Sequence, residues 1–462
     1  MDTNHYQPED DFIELVQRSS YWLRTMATTM GVWPGQYVTI RNQWYRRLYY
    51  FMLLMHWLNI YLQTEFFFRN LGNLSLVVQG LCSFVSITTT GIKVMRLHAY
   101  EEEIKQLWQA LEDATFLKKI RFLRKTDRGT VFAHIHKLLL GQWKEVQLNL
   151  RFYTLVVGLV ASNYSIIPAC SNLYNQFQGN AYNRSFGTIV IFSLKKSSIT
   201  VKLFCFDIVY NTYYPFLEPI KRRSPLFELL FCSESLSGYT TWAGVVAFDG
   251  LYVVMVLYAA SLMRLLRDLM HETANPDLTH TERAFFQREC ILHHIRTMQL
   301  SSLFLTFLTR WRSVANRCLC SCRLIERINE IFSPVLLVQL FTSTSIICVI
   351  AFAASMHADE GDSQTMLMVL YLIAAIYQLF QFCWYGQRLQ NESTELPLSV
   401  YDVQWELCAE RFKSTHHILL LYSQRQIDMR AWSFSAMSLE TFSTIIRSAA
   451  SYFTVLQTLA EE

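Results

Sequence analysis

The chain has 462 residues, of which 52% are hydrophobic and 15% aromatic, with only 17% charged and a formal net charge of +4. This is too apolar for an ordinary soluble multidomain protein. The positions of the missing charges say more: no Asp, Glu, Lys or Arg occurs in Leu48 to Thr64, Asn70 to Ile92, Phe152 to Asn183, Ile331 to Ala358 or Ser363 to Gln387, and Ser235 to Met263 holds only Asp249. A spanning helix needs about 20 apolar residues, so these stretches and the helical C-terminal stretch make seven expected spans.

Residues 1–47 read as a cytoplasmic N-terminus without a signal-peptide cleavage site. Within it, Phe12 to Met30 carries apolar residues at helical spacing, and Gly31-Val32-Trp33-Pro34 then stops the helix. Trp22, Met26, Met30 and Trp33 are costly to leave in water, so this helix is expected on the membrane surface or re-entering the bundle. Residues 48–263 contain spans one to four, with a long outer loop at 171–225 that is aromatic, rich in small polar residues and closed by Pro215, Pro219 and Pro225. Residues 264–330 form a helical cytoplasmic anchor, 331–387 spans five and six, 388–430 a second cytoplasmic anchor segment, and 431–462 span seven. Between spans two and three, Glu101 to Leu123 is a charged amphipathic run, and helices two, four, five and six are expected to continue below the bilayer.

The last span is amphipathic. On a wheel of about 100° per residue, Glu440, Thr444, Arg447, Ser451, Thr454, Val455 and Thr458 fall within roughly 60° of one another. Phe442, Ile445, Ala449, Tyr452, Phe453 and Leu456 cover the other side. A charge near mid-membrane costs on the order of 3 kcal/mol, so Arg447 is expected to face protein or water. By itself the wheel suits a pore wall and a helix packed on a soluble core equally.

Loop charges set the orientation. Lys and Arg number 5 before span one, 12 between spans two and three, 10 between four and five and 5 from span six to Arg430, against 1, 7 and 0 in the opposite loops. The positive-inside rule then puts the N-terminus in the cytoplasm and the C-terminus outside. That is the reverse of a G-protein-coupled receptor, and the single Asp-Arg pair, Asp127-Arg128, lies in a loop before Gly129. No direct G-protein coupling is expected.

Asn183-Arg184-Ser185 is an outer glycosylation sequon, whereas Asn391-Glu392-Ser393 falls on the cytoplasmic side. Cys170, Cys205 and Cys232 lie at or near the outer side, where a disulfide is allowed. Cys318, Cys320 and Cys322 alternate near the inner face without the spacing of a zinc site. The chain shows no phosphate loop, metalloprotease motif or nucleophile elbow, so neither an enzyme nor a cofactor, metal or nucleic-acid partner is expected. An acid within a span is expensive and by default functional, but for Asp249 a structural hydrogen bond to a neighbouring helix is the favoured reading.

The inner end of span six, Tyr377-Gln378-Leu379-Phe380-Gln381-Phe382-Cys383-Trp384-Tyr385-Gly386 with Asn391, Ser393 and Trp405, resembles the signature of insect odorant receptors. So do Ser438-Leu439-Glu440-Thr441-Phe442, Ser451-Tyr452-Phe453, Gly31-Val32-Trp33-Pro34, Ser224-Pro225 and Phe332-Ser333-Pro334, in the same order along the chain. The resemblance implies an all-α membrane protein with seven transmembrane helices, an odorant-gated non-selective cation channel of four subunits in which a tuning receptor assembles with a shared co-receptor. It also implies a pore along the last helix, an odorant pocket in the outer half of each bundle, and subunit contacts through cytoplasmic parts of the helices. The co-receptor's gate has a Val and a Leu flanking a Gln, and the matching positions here are Val455, Thr458 and Leu459. The amide is replaced by a hydroxyl, which implies a tuning subunit. Ser451 and Arg447 complete the expected pore residues. The stretch Ser301 to Arg323 departs from the family pattern.

For a small volatile ligand, a mostly apolar cavity with a few polar handles is expected. Phe84, Thr88, Ser162, Tyr164, Ser165, Tyr239, Thr240, Tyr371 and Tyr377 are the candidate contacts, and their rings suit an aromatic or heterocyclic odorant. Two other readings weigh less. A gustatory receptor would carry a different final-helix motif from Ser451-Tyr452-Phe453, and a transporter would show broken helices and repeat symmetry.

Overall fold

The computed structural model describes residues 21–30, 41–71, 74–112, 137, 140–162, 187–195, 198–206, 226–273, 279, 287–288, 290–291, 324–356, 363–403 and 410–461. In chain order the elements are α1 (21–29), α2 (Arg41–Arg69), α3 (Leu74–Ala99), α4 (Glu101–Glu112), α5 (140–162), β1 (Gly187–Lys195), β2 (Ser198–Phe206), α6 (Leu226–Thr273), α7 (Leu324–Met356), α8 (Ser363–Tyr401), α9 (Glu410–Ser423), β3 (Arg430–Ala431), β4 (Ser435–Ala436) and α10 (Leu439–Glu461). The described part of each of the seven expected spans is helical, in α2, α3, α5, α6, α7, α8 and α10; residues 163–183 of the third lie outside the described residues. Among the described residues, Leu229–Asp268, Leu324–Ser355 and Met368–Tyr401 are long and apolar enough to cross a membrane on composition alone.

The architecture is helical, with one departure inside the outer loop. β1 and β2 form an antiparallel hairpin whose register pairs Gly187 with Phe206 and Lys195 with Ser198. The alternation of Val190, Phe192 and Leu194, and of Ile199, Val201 and Leu203, is a period-2 pattern read above only as an aromatic loop.

At 48 residues α6 reaches about 72 Å, far beyond a hydrocarbon core of about 30 Å. It is the strut of the bundle. From Val246 to Met263 every residue is buried, which requires neighbours on all sides rather than lipid on one. α8 packs along it, α3 and α7 complete the core, and α10 lies on the α7 and α8 side.

α1 re-enters the bundle rather than resting on its surface. Leu23, Met26, Ala27 and Met30 are buried in the main core, at the three- and four-residue spacing of one helix face, while Trp22 remains exposed. Two glycines of α6 make the room. A Cβ at Gly250 would meet Leu23, and one at Gly244 would meet Thr90, Val94 and Met30, so small residues let the backbones approach closely. Trp33 lies outside the described residues. Below the spans, α4 buries Ile104, Leu107, Trp108 and Leu111 on one face, as its amphipathic spacing requires.

Two backbone problems in α7 and α10 are solved by named side chains. Pro334 has no N–H, which leaves the carbonyl of Glu330 without its helical donor; Arg96 Nη2 donates to that oxygen at 2.7 Å and its Nε to Ile331 O at 3.1 Å. Upstream of α10, Trp432 sits at φ 53°, a left-handed conformation a non-glycine residue adopts at a cost of about 1 kcal/mol or more. Ser333 Oγ holds it by accepting its N–H at 2.7 Å. α10 then starts on Ser438, whose Oγ accepts the Thr441 N–H at 3.2 Å, while Gln387 Oε1 of α8 accepts the Leu439 N–H at 3.2 Å.

The ends of α5, α6 and α8 expected in the cytoplasm are tied by ions. Arg267 pairs with Glu392 at 3.0 Å and with Glu395, and Arg388 pairs with Glu145 at 2.5 Å. Burial pushes the Glu392 carboxyl above its usual range, and Arg267 and Arg264 offset this only in part.

Candidate ligand cavity and pore helix

A cavity of about 110 Å³ opens in the outer half of the bundle, between α3, α5, α6, α7 and α8. α6 contributes Gly238, Thr241, Trp242 and Val245, and α8 contributes Tyr371, Ala374, Ala375 and Gln378, each set spaced as one helix face. Ser83, Ser86 and Ile87 of α3, Val157, Val160 and Ala161 of α5, and Ile346 of α7 close the sides, with Tyr153 beside Gln378 at the inner end. The walls are mainly apolar. Gly158 leaves space for the Trp242 ring, since a Cβ there would lie 3.4 Å from its Nε1. Trp242 Nε1 donates to Thr154 O at 3.3 Å, so its polar end is satisfied inside the wall. Of the side-wall polar groups, Ser83 and Thr241 donate to backbone carbonyls of their own helices, while Ser86 and Tyr371 are hydrogen-bonded to each other, with Tyr371 Oη also donating to Cys82 O at 3.3 Å.

Of the nine candidate contacts, Tyr371 lines this cavity. The others are placed differently. Phe84 turns edge-on to Phe67 at 5.5 Å, and the buried Thr88 hydroxyl makes no hydrogen bond. Ser162 donates to Leu159 O at 2.8 Å. Tyr239 is half outside and stands edge-on behind Trp242 at 5.7 Å, while the fully buried Thr240 hydroxyl is 3.1 Å from His56 Nδ1 in the α2 interface. Tyr377 donates to Asn149 Oδ1 rather than facing the cavity. Tyr164, Ser165 and the sequon residue Asn183 lie outside the described residues. On α6 the sequence choice was out by one position at each end: Gly238 and Thr241 face inward where Tyr239 and Thr240 were chosen. The 238, 241, 242, 245 spacing was a readable signal, but picking polar residues one at a time passed over it.

Beneath the cavity lies a buried ion pair. Lys93 Nζ donates to Asp249 Oδ1 at 2.7 Å, while Tyr153 Oη and Gln378 Nε2 donate to Asp249 Oδ2 at 2.5 and 2.6 Å. The Lys93 ammonium also lies 5.6 and 5.5 Å from the ring centres of Phe248 and Phe382. Asp249 thus binds three neighbouring helices, as the structural reading of that acid expects. Sequence reasoning missed its partner because Lys93 comes immediately after the charge-free stretch ending at Ile92.

α10 turns its apolar side to the protomer. Phe442, Ile445, Ile446, Phe453 and Leu456 pack against the core, and Ala449 is buried in it. Glu440, Ser443, Thr444, Arg447, Ser451, Thr454, Val455 and Thr458 are exposed. Tyr452 corrects the wheel: assigned to the packed side, it is 60% exposed. Arg447 donates to Ser443 O and Oγ at 3.3 Å within its own helix. The Leu459 side chain, the sequence from Ser301 to Arg323, and the cysteines from 318 to 322 lie outside the described residues. Cys232 has a free thiol.

The family model described as 7tm Odorant receptor matches residues 73–450 of this sequence. The chain belongs to the 7tm odorant receptor family. Its relatives include Odorant receptor 63a of Drosophila melanogaster, 22% identical over 77% of this chain and 72% of that protein, and Odorant receptor 10a of the same species, 20% identical over 93% and 92%. An Odorant receptor coreceptor of Anopheles gambiae is 28% identical over 29% of this chain and 28% of its own length. The fold matches the insect olfactory receptor OR5 from Machilis hrabei, solved in complex with eugenol, with a TM-score of 0.68, 12% identity and coverage of 98% of this chain and 100% of that one. This odorant receptor is therefore a seven-helix membrane protein, and not an enzyme.

Proposed function

We propose that this odorant receptor is the tuning subunit of a heterotetrameric, odorant-gated, non-selective cation channel formed with the odorant receptor co-receptor in the cell membrane of a sensory neuron. The observation carrying this reading is α10: a membrane-length helix with a continuous polar face exposed on the protomer, which is expensive in lipid and suited to a shared water-filled path. The pore-lining residues are Arg447, Ser451, Val455, Thr458 and Leu459, with Val455 and Leu459 as the hydrophobic constriction. A volatile ligand, aromatic or heterocyclic, occupies the cavity beside Tyr371 and Trp242. Ligand that binds the open arrangement more tightly shifts the population toward it, and α10 moves outward.

The test is electrophysiology of cells expressing this chain with and without the co-receptor, exposed to a panel of volatiles. Current only in the co-expressing cells is expected. Equal odour currents from this chain alone would overturn the heteromer. Leu459→Ser should raise the ligand-free current of the complex, and an unchanged baseline with unchanged block by large cations would remove Leu459 from the constriction.

A further inference from the structure

Gln378 is the point where the cavity meets the helix that supports α10. It lines the cavity, its Nε2 donates to Asp249 Oδ2 at 2.6 Å, and its Oε1 accepts from Gln339 Nε2 of α7 at 3.1 Å. The same Gln339 amide donates to Ser343 Oγ at 2.8 Å. This layer holds more hydrogen-bonding capacity than it uses. Gln339 Oε1 is buried without a hydrogen bond. A buried polar atom without a partner is costly, so an arrangement that repairs one bond while breaking another lies close in energy. Two packings close in energy are what a switch needs.

Asp249 keeps Gln378 in place from the other side. Its own position is fixed by Lys93 and Tyr153, so the amide of Gln378 is anchored through its nitrogen, and its oxygen is the atom it shares with α7. A ligand hydroxyl can donate to that oxygen; an ether or a hydrocarbon cannot. Gln339 would then keep only its bond to Ser343, and the tie from α8 to α7 would be lost.

α7 transmits the release. Some 13 residues, about 20 Å, beyond Gln339, Phe352 and Ala353 of α7 pack against Phe453 and Leu456 of α10, on either side of Val455. We propose that Gln378 is the coupling residue between cavity and pore helix, and that the activating ligand is a small neutral alcohol or phenol whose O–H displaces Gln339 from the Gln378 carbonyl oxygen. The inference rests on the channel reading above. The cavity volume of about 110 Å³ suits a small ligand, since benzene occupies an engineered protein cavity of about 150 Å³.

The experiment uses the full chain with the co-receptor, with surface expression measured alongside current. The probes are phenol against anisole and butanol against methyl propyl ether, pairs that keep the oxygen and remove its proton. In the wild-type complex the hydroxyl member should activate at concentrations about tenfold lower than its ether, the factor expected for one unreplaced hydrogen bond. Gln378→Leu should raise the ligand-free current and erase that preference. Gln339→Leu should raise the ligand-free current and keep the preference, because Gln339 does not line the cavity. A merely structural role would not separate these two readouts. The coupling is overturned if wild-type complexes respond but both variants keep the wild-type baseline, or if the alcohol preference survives in Gln378→Leu. Should Gln378→Leu fail to reach the surface, the baseline of Gln339→Leu and the wild-type alcohol-to-ether ratio decide the question. If no volatile opens the wild-type complex, the channel reading falls and the coupling with it.

Discussion

α6 and α10 are both membrane-length helices carrying charge, and they handle it in opposite ways. The apolar stretch of α6 is 94% buried within one protomer, and its acid, Asp249, is enclosed by Lys93, Tyr153 and Gln378. α10 buries only one side and leaves Arg447 and its row of hydroxyls exposed, satisfied by the helix's own backbone. A charge in a membrane protein is tolerated in two settings, an interior with complete pairing or a surface that meets water or other subunits. α6 is the first case and holds the protomer together. On the proposed channel reading, α10 is the second.

The comparison breaks most clearly at Asp249. Asp249→Leu leaves Lys93 as a buried unpaired cation and should destabilise the protein by about 3–5 kcal/mol, seen as lost surface expression and a lower melting temperature in detergent. Adding Lys93→Met should recover most of that loss, since an apolar pair of similar volume replaces a buried ion pair at little cost. A double variant as unstable as the single one would mean that the charge itself holds the fold.

The junction between the two regions comes next. A Cβ at Gly386 of α8 would collide with the backbone carbonyl of Met437, directly before α10, and a carbonyl cannot rotate aside as a side chain can. Gly386→Ala should cost about 1–3 kcal/mol and change gating together with stability. An unaffected channel would show that α10 can shift freely against α8. For α10 itself, Arg447→Ala should change stability by less than about 0.5 kcal/mol while altering the conductance or cation selectivity of the complex. A large loss of protomer stability would place Arg447 in the fold rather than in the pore.

The smallest effect is a pH dependence at the ion pairs of Arg267 with α8. Burial raises the Glu392 carboxyl, so the folded state takes up its proton more readily than the unfolded chain does. Its contribution therefore favours folding at low pH and fades as pH rises through the raised value. Between about pH 5 and pH 7 the melting temperature of Glu392→Gln should vary less than that of the unaltered protein. A steeper dependence in the variant would reverse the assignment.

How much of this could be read from sequence differs between fold and site. Stretches free of charge, or with Asp249 alone, marked the helices that became α2, α3, α5, α6, α7 and α8, because desolvating charge is so costly that its absence is a strong signal. The apolar side of α10 was likewise legible in its 3.6-residue period, except at Tyr452. The cavity was less so. Tyr371 was chosen and lines it, but Trp242, Gln378 and the α6 face from Gly238 to Val245 were not chosen, and Tyr377 was chosen yet bonds Asn149 instead. A polar residue in a span is conspicuous in sequence whether it faces a cavity or a neighbouring helix; which one it faces depends on helix rotation.

The sequence by itself determined that this protein is a helical membrane protein and which helix carries an unburied polar face, because these follow from local hydrophobicity and period. Tertiary structure alone decided that Lys93 meets Asp249 across 156 positions of chain, that Arg96 repairs the carbonyl freed by Pro334, and that Gln378 joins the cavity to α7. Such pairings depend on the relative rotation and depth of packed helices, which are set by volume and close approach, as at Gly244, Gly250 and Gly386, and no local pattern encodes them.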